Sequence, residues 1–367
     1  MKQRERALLL ANDRYVQWRM QRCAAAAGYD VFVLGDENAR PLKRSRHCAR
    51  FIASPQPLSD GEMGEDRLAM LADTVNALTE QHGISVVLPG DARTTRTLIR
   101  MAPRLRARCF PVPELDVFDT LNDKWRFSEL CRGLGVSVPR AAFFPDRDAL
   151  LQAYQRGELW FPAIVKPVNL YGKIGVNLVT AENAAVVLGS LDYRDIIYQD
   201  YVDGADTSMS LFCRQGQVRQ RVQFRRSQGT YSYLRDEGFF ESGRRVAEAT
   251  RFDGVINFDA RIERGTGKAW LIECNPRIWN TIDIAMLVGA NFVETGLKPD
   301  AGTAGVDVSG AKLRLLYAIG LAALKPWTLR WTDLKAIQYV LTDPVPAAAL
   351  GFIELMGHFR RRGLADA

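Results

Sequence analysis

The chain is expected to fold as an N-terminal doubly wound parallel α/β unit followed by an α+β region built on antiparallel strands. Two observations carry that expectation. Between Ala7 and Asp91, short apolar runs alternate with helical stretches, an order that produces a parallel sheet with helices on its faces. Further along, runs of period two come in adjacent pairs separated by glycine-containing turns, the pattern of antiparallel hairpins.

In chain order, Ala7–Ala11 reads as a buried strand and Tyr15–Ala27 as an Ala-rich helix closed by Gly28. Tyr29–Leu34 is the next strand, ending at Gly35-Asp36, and Phe51-Ile52-Ala53 another. Asp66–His82 is helical, and Ile84–Leu88 is a strand that opens into Pro89-Gly90-Asp91. Ligands of such sheets lie beyond the carboxyl ends of the strands, so Asn12, Asp36 and the Pro89–Asp91 turn mark that edge. Each is also an ordinary turn residue. Asp116–Arg132 reads as one helix, Phe161–Pro167 as a strand carrying Lys166, and Ile196–Val202 as an apolar strand ending at Asp203-Gly204. Thr207–Arg214 and Gln217–Arg226 alternate as a hairpin around Gln215-Gly216. Lys298–Gly310 reads as a linker into a C-terminal segment.

With 367 residues, the chain can form two or three domains. Its hydrophobic (47%) and charged (25%) fractions are those of a soluble globular protein. Six cysteines without a Cys-x-x-Cys pair and only three histidines argue against a zinc site or a disulfide framework and for a reducing compartment. Met1–Arg6 is charged and Ala7–Ala11 is too short for a signal sequence, and no uncharged window reaches spanning length. A cytoplasmic location is therefore expected. The net charge of +7 suits phosphate-bearing or acidic ligands. There is no basic–aromatic repeat, so no nucleic-acid partner is expected.

The chemistry concentrates in Trp270–Arg277 (WLIECNPR) and in Asp259, fourteen residues before Glu273. Alternate strand residues share a face, so Glu273 and Asn275 project together, while Ile272 and Cys274 face the core. Gly254–Asp259 reads as the antiparallel neighbour, joined through Gly265–Lys268. Two carboxylates and an amide on one hairpin face are hard oxygen ligands of the kind Mg2+ takes together with nucleotide phosphates. The same face read without its context is a solvated hairpin.

The order of Asp123-Lys124, Val165-Lys166-Pro167, the Gly172–Gly175 loop, Gln199–Val202 and Glu273-Cys274-Asn275-Pro276-Arg277 resembles the ATP-grasp superfamily. It is most similar to the carboxylate–amine ligases and the carbamoyl-phosphate-synthase-like branch. The likeness spans roughly residues 116–297 and implies four segments: an N-terminal α/β domain (1–115), a small lobe (116–198), a metal-binding lobe (199–297) and a helical C-terminal extension (298–367). The nucleotide would sit between the sheets of the two lobes. The resemblance implies that Lys124 and Lys166 contact phosphates and that Lys173 lies in the flexible phosphate-covering loop as a catalytic cation. Gln199, Tyr201 and Val202 would form the adenine-binding hinge, Asp206 would take the ribose, and Gln223 would face the same cleft. Asp259, Glu273 and Asn275 would hold Mg2+, or Mn2+ in its place, and Arg277 would bind the reacting carboxylate. Gln199 and Asp206 both stand where the pattern usually has Glu.

The activity that the resemblance implies is that of an ATP-dependent ligase acting on a small-molecule carboxylate and an amine. A phosphotransferase using the same cleft, or a non-catalytic nucleotide-binding partner, are the alternatives. A homodimer is compatible with this reading. The segment from Ala311 onward carries eight basic and four acidic residues, with apolar stretches at Leu313–Leu324 and Ala347–Met356. Such a segment either packs on the core or lies on an anionic membrane surface, and packing is the favoured expectation.

Overall fold

The computed structural model describes residues 4–58, 63–169, 174–227, 229–298, 306–314 and 326–344. Its first unit comprises β1 (Arg6–Ala11), α1 (Tyr15–Ala26), β2 (Asp30–Gly35), β3 (Cys48–Ala53), α2 (Glu65–His82), β4 (Val86–Leu88), α3 (Ala92–Met101) and β5 (Arg108–Cys109). The five strands are parallel in the order β3-β2-β1-β4-β5. Burial on both faces explains the near-continuous apolar run of β1. Leu8 and Leu10 pack toward Leu68, Leu71 and Leu98 of α2 and α3, whereas Ala7, Leu9 and Ala11 pack toward Met20 and Ala24 of α1. The order reverses between β1 and β4. There Asn12 accepts a hydrogen bond from the Gln17 amide at 2.6 Å, and Asp91 caps α3 by accepting the Thr94 N–H at 2.9 Å. Asp36 receives the Leu58 N–H at 2.9 and 3.0 Å.

Next come α4 (Leu115–Asn122) and α5 (Lys124–Gly133). The single helix expected over 116–132 is broken at Asp123, whose extended backbone and carboxylate cap α5 by accepting from Trp125 and Arg126. The break makes Lys124 the first residue of α5. After it, β6 (Ala141–Phe144), α6 (Arg147–Gln155), β7 (Ala163–Pro167), β8 (Asn177–Val179), α7 (Ala184–Gly189) and β9 (Ile196–Asp200) build a four-stranded antiparallel sheet, β6-β9-β7-β8.

The third sheet is assembled from β10 (Gly204–Arg214), β11 (Gln217–Ser227), β12 (Thr230–Leu234), α8 (Glu237–Ala249), β13 (Gly254–Glu263), β14 (Ala269–Asn275), α9 (Ile282–Leu287), α10 (Phe292–Leu297), β15 (Lys312–Arg314) and α11 (Trp331–Leu341). Its six antiparallel strands run β14-β13-β10-β11-β12-β15. One face, with Met209, Leu211, Phe258 and Cys274, packs on Phe127 of α5 and Phe239 and Val246 of α8. The apolar side chains of the opposite face, Phe212, Val222, Phe224 and Tyr233, join α1, α9 and α10.

The C-terminal region differs from the expected helix at its start. Leu313 and Arg314 extend the sheet, with Leu313 paired to Tyr231 of the edge strand β12. The remainder of the apolar stretch to Leu324, and Ala347–Met356, lie outside the described residues. α11 packs back on α1 through a buried charged network. Arg19 donates to both Asp283 oxygens at 2.8 and 2.9 Å, and Tyr339 donates to the same carboxylate. The Arg22 guanidinium lies 3.3 Å from the Tyr339 ring centroid. Asp343 accepts from Trp18 at 2.7 Å and Ser45 at 2.6 Å.

Removing one member of a buried ion pair leaves the other uncompensated. Asp283→Ala, which strands Arg19, is expected to cost about 3–5 kcal/mol. The shift of the denaturant unfolding midpoint measures it, and an unchanged midpoint would remove this network from the supports of the fold.

Candidate active site

β13 and β14 bring the acids together as the hairpin pattern implies. Asp259 lies opposite Glu273 and Asn257 opposite Asn275, with a bulge just beyond Asp259. On the other side of β13, Ser208 stands opposite Asp259 and Ser210 opposite Asn257. Ser208 donates to Asp259 at 2.6 Å, and Ser210 donates to the Asn257 carbonyl oxygen at 3.0 Å. A polar patch three strands wide thus crosses the sheet. Burial, reinforced by the facing Glu273 carboxylate, pushes the Asp259 carboxyl up to about 6. Sequence reasoning missed Ser208, Ser210 and Asn257. The signal was present: Ser-x-Ser and Asn-x-Asp repeat the two-residue period of Glu-x-Asn on successive strands.

The lysines reach the same patch from other elements. Lys166 of β7 is 4% exposed, and its ammonium donates to the Gln199 side chain at 3.0 Å and to the Ile272 carbonyl of β14 at 3.3 Å. Lys166 thus links the four-stranded sheet to the edge strand of the six-stranded one. Burial brings Lys166 down to about 8, with Glu273 opposing and Lys124 adding to the fall. Lys124 donates to the Val168 carbonyl at 3.0 Å and stands 3.9 Å from the Glu273 carboxylate. Burial lowers Lys124 too, against the pull of Glu273. Arg277 is held by the Asn275 carbonyl oxygen at 2.8 Å and the Ile278 carbonyl at 3.0 Å. It shares a small cavity with Pro89, Thr95 and Phe110, so its loop abuts the carboxyl end of β4.

Around the expected hinge, Gln199 is buried and occupied by Lys166. The Tyr201 N–H is donated to the Pro162 carbonyl at 3.2 Å, and the Val202 side chain is buried. Asp206 lies on the sheet face of Asp259 and pairs with Arg261 at 3.3 Å, which also stacks over Tyr201 at 5.0 Å. The register corrects the expectation for Gln223. It pairs with Met209, which is opposite Phe258, and this places its side chain on the α8 side of the sheet, away from Asp259. Its amide donates to and accepts from the Asp236 backbone at 2.8 Å, a structural tie at the start of α8. Lys173 lies outside the described residues.

Among the described residues, no group of three or more His, Cys, Asp or Glu side chains is gathered as a metal site. The set at hand is two carboxylates and one amide, Asp259, Glu273 and Asn275. These oxygens fit a hard cation that keeps ligands from phosphate and water. The raised Asp259 carboxyl agrees with such a fit, because two facing carboxylates are eased by a cation between them.

Residues 192–316, which contain β9 to β15, match the family model described as ATP-grasp in the biosynthetic pathway with Ter operon. Solved structures share the architecture. N5-carboxyaminoimidazole synthetase from Staphylococcus aureus, complexed with ADP, aligns with a TM-score of 0.63 at 14% identity over 88% of this chain and 85% of that one. L-amino acid ligase from Bacillus licheniformis gives 0.56 at 16% identity, covering 82% and 75%. The biotin carboxylase domain of 2-oxoglutarate carboxylase from Hydrogenobacter thermophilus, in complex with MgADP, ADP and bicarbonate, gives 0.59 at 16% identity, covering 84% and 72%. No curated protein matches by sequence. The chain has the ATP-grasp fold.

A carboxyl with a folded pKa raised from 3.8 to about 6 binds more protons folded than unfolded in that interval, so its contribution to stability falls as pH rises through it and stays lost above pH 6. Asp259→Asn removes that term. The variant without ligand is expected to melt higher than the parent at pH 7 and at about the same temperature near pH 4. A lower melting temperature at pH 7 would contradict the repulsion described.

Proposed function

We propose that the protein is an ATP- and Mg2+-dependent ligase that activates a carboxylate as an acyl phosphate and joins it to an amine. The observation that carries this reading is the convergence of Lys124 and Lys166 with Asp259 and Glu273 from separate elements into one cleft. Buried lysines beside carboxylates are costly to maintain, and a polyanion–cation pair such as nucleotide phosphate with Mg2+ repays that arrangement. The likeness to ligase structures, one with MgADP, supports the same conclusion.

In this reading Lys124 and Lys166 bind phosphate oxygens as point charges. The backbone of Gln199–Val202 and the Asp206 carboxylate lie toward the nucleoside. Asp259, Glu273 and Asn275 would hold Mg2+, or Mn2+ in its place, which when bound would supply positive charge against the phosphates. Arg277, pre-oriented by Asn275 and the Ile278 carbonyl, binds the substrate carboxylate. One carboxylate oxygen attacks the γ-phosphorus as ADP leaves. The amine then attacks the acyl carbon, the C–N bond forms, the C–O bond to phosphate breaks, and the nitrogen loses its proton. Arg277 stabilises the oxyanion of that second step. Lys173 acts from the covering loop as a further cation.

Lys166→Ala is expected to weaken ATP binding by roughly tenfold or more, measured calorimetrically. In the parent, the Lys166 ammonium is lost above about pH 8, so ATP affinity should fall between pH 7 and pH 9, and the alanine variant should lack this dependence. Affinity equal in both proteins would place the phosphates elsewhere.

Turnover provides the second test. ADP and free phosphate should appear together only when both a carboxylate and an amine are supplied, while a stable phosphorylated product formed without amine would establish a kinase instead. Glu273→Gln should fold normally and lose most Mg2+-dependent turnover. Arg277→Ala should keep ATP binding and lose roughly a hundredfold in turnover, the scale of one oxyanion donor.

A further inference from the structure

The C-terminal helix presents two faces with different chemistry. Asp333, Ala336 and Tyr339 of α11 are buried on the inner side. On the outer side Trp331, Leu334 and Leu341 are 71%, 46% and 66% exposed, and Trp327, just before the helix, is 79% exposed. Positions 331, 334, 338 and 341 follow one another along a single helix stripe, so the three apolar side chains and exposed Gln338 form one continuous line.

Among the described residues of the C-terminal segment, the exposed charges beside this line are basic. Lys312, Arg330 and Lys335 are exposed, and the Lys335 ammonium lies 6.0 Å from the Trp331 ring centroid. Thr332 donates to the Lys312 carbonyl at 2.6 Å, which brings Lys312 beside the start of the helix. The two acids between residues 326 and 344 do not face outward. Asp333 is buried against Arg314, and Asp343 is buried against Trp18 and Ser45.

We propose that this stripe is a docking surface for an anionic phospholipid membrane, on which α11 lies flat. Exposed indoles flanked by basic side chains suit the boundary between headgroups and acyl chains, where the ring is half apolar and the cations meet lipid phosphate. No described helix is long and apolar enough to cross a membrane, so the contact is peripheral. A protein partner fits less well. Lysine is depleted at protein interfaces, and these four apolar side chains fall far short of the roughly 20–30 residues that each side of a stable interface supplies. The inner face stays anchored through Tyr339 and Asp283, so docking needs no unfolding of the C-terminal region. Packing and surface contact are thus properties of opposite faces of one helix.

The test is cosedimentation of the full chain with sucrose-loaded vesicles of phosphatidylcholine, with and without phosphatidylserine. The protein should pellet with the anionic vesicles, weakly with the neutral ones, and less as salt is raised. Trp327→Ser/Trp331→Ser should reduce the affinity about tenfold or more, and Arg330→Glu/Lys335→Glu should abolish the preference for phosphatidylserine. Both pairs are exposed, and an unchanged melting temperature and ATP affinity will show that the fold is kept. If the serine pair melts lower, Leu341→Ser supplies the apolar arm. Parent protein remaining in the supernatant, binding untouched by these substitutions, or a dimer in solution that the tryptophan pair dissolves would each overturn the proposal.

Discussion

Two ammonium groups and two carboxylates meet at the base of one cleft, and much of the surrounding structure serves to tolerate them. Lys166 is held almost wholly out of water between the Gln199 side chain and the Ile272 carbonyl. Its position links the small sheet to the edge strand of the large one. Asp259 is half-buried, with Ser208 and Asn257 donating to it. At such depth each charge is costly alone, and attraction to the opposite sign recovers only part of the cost. Lysines pushed down and a carboxyl pushed up express that shortfall. A bound polyphosphate and divalent cation would relieve both.

The Arg277 side of this patch adjoins a second buried network far from it in sequence. Arg277 follows β14 directly, and the chain then runs through Asn280 and Asp283 into contact with Arg19 of α1. Tyr339 donates to the same Asp283 carboxylate and Asp343 accepts from Trp18, which fastens the C-terminal helix to α1 and its neighbours. The arginine loop is therefore clamped between the N-terminal sheet, against Pro89 and Thr95, and a C-terminal strap. The role proposed for Arg277 requires placement to within a fraction of an ångström, and this clamp would supply it.

Periodicity made much of the plan legible. The alternation of apolar runs with helices implied the parallel sheet, and Glu273-x-Asn275 with Asp259 implied a shared hairpin face, because the two-residue strand period is a local property of the backbone. The polar patch on β10 was legible in principle, since Ser208 and Ser210 have the spacing of their partners. Serines in a strand are nevertheless commonplace, and only the pairing of Ser208 with Asp259 distinguishes them.

By itself the sequence determined which residues alternate, where turns break them and which side chains can carry charge. It could not decide which face of β11 meets the cleft, and Gln223 lies on the other one because strand pairing sets the face, and that pairing joins residues distant in the chain. Nor could it show that Asp123 would cap a new helix instead of continuing the old one, or that Leu313 and Arg314 would complete a sheet edge instead of starting a helix. In α11 the apolar residues point both inward and outward, and composition cannot separate them. Only packing against α1 decides which are buried, because burial is a property of what lies opposite a side chain and not of the side chain itself.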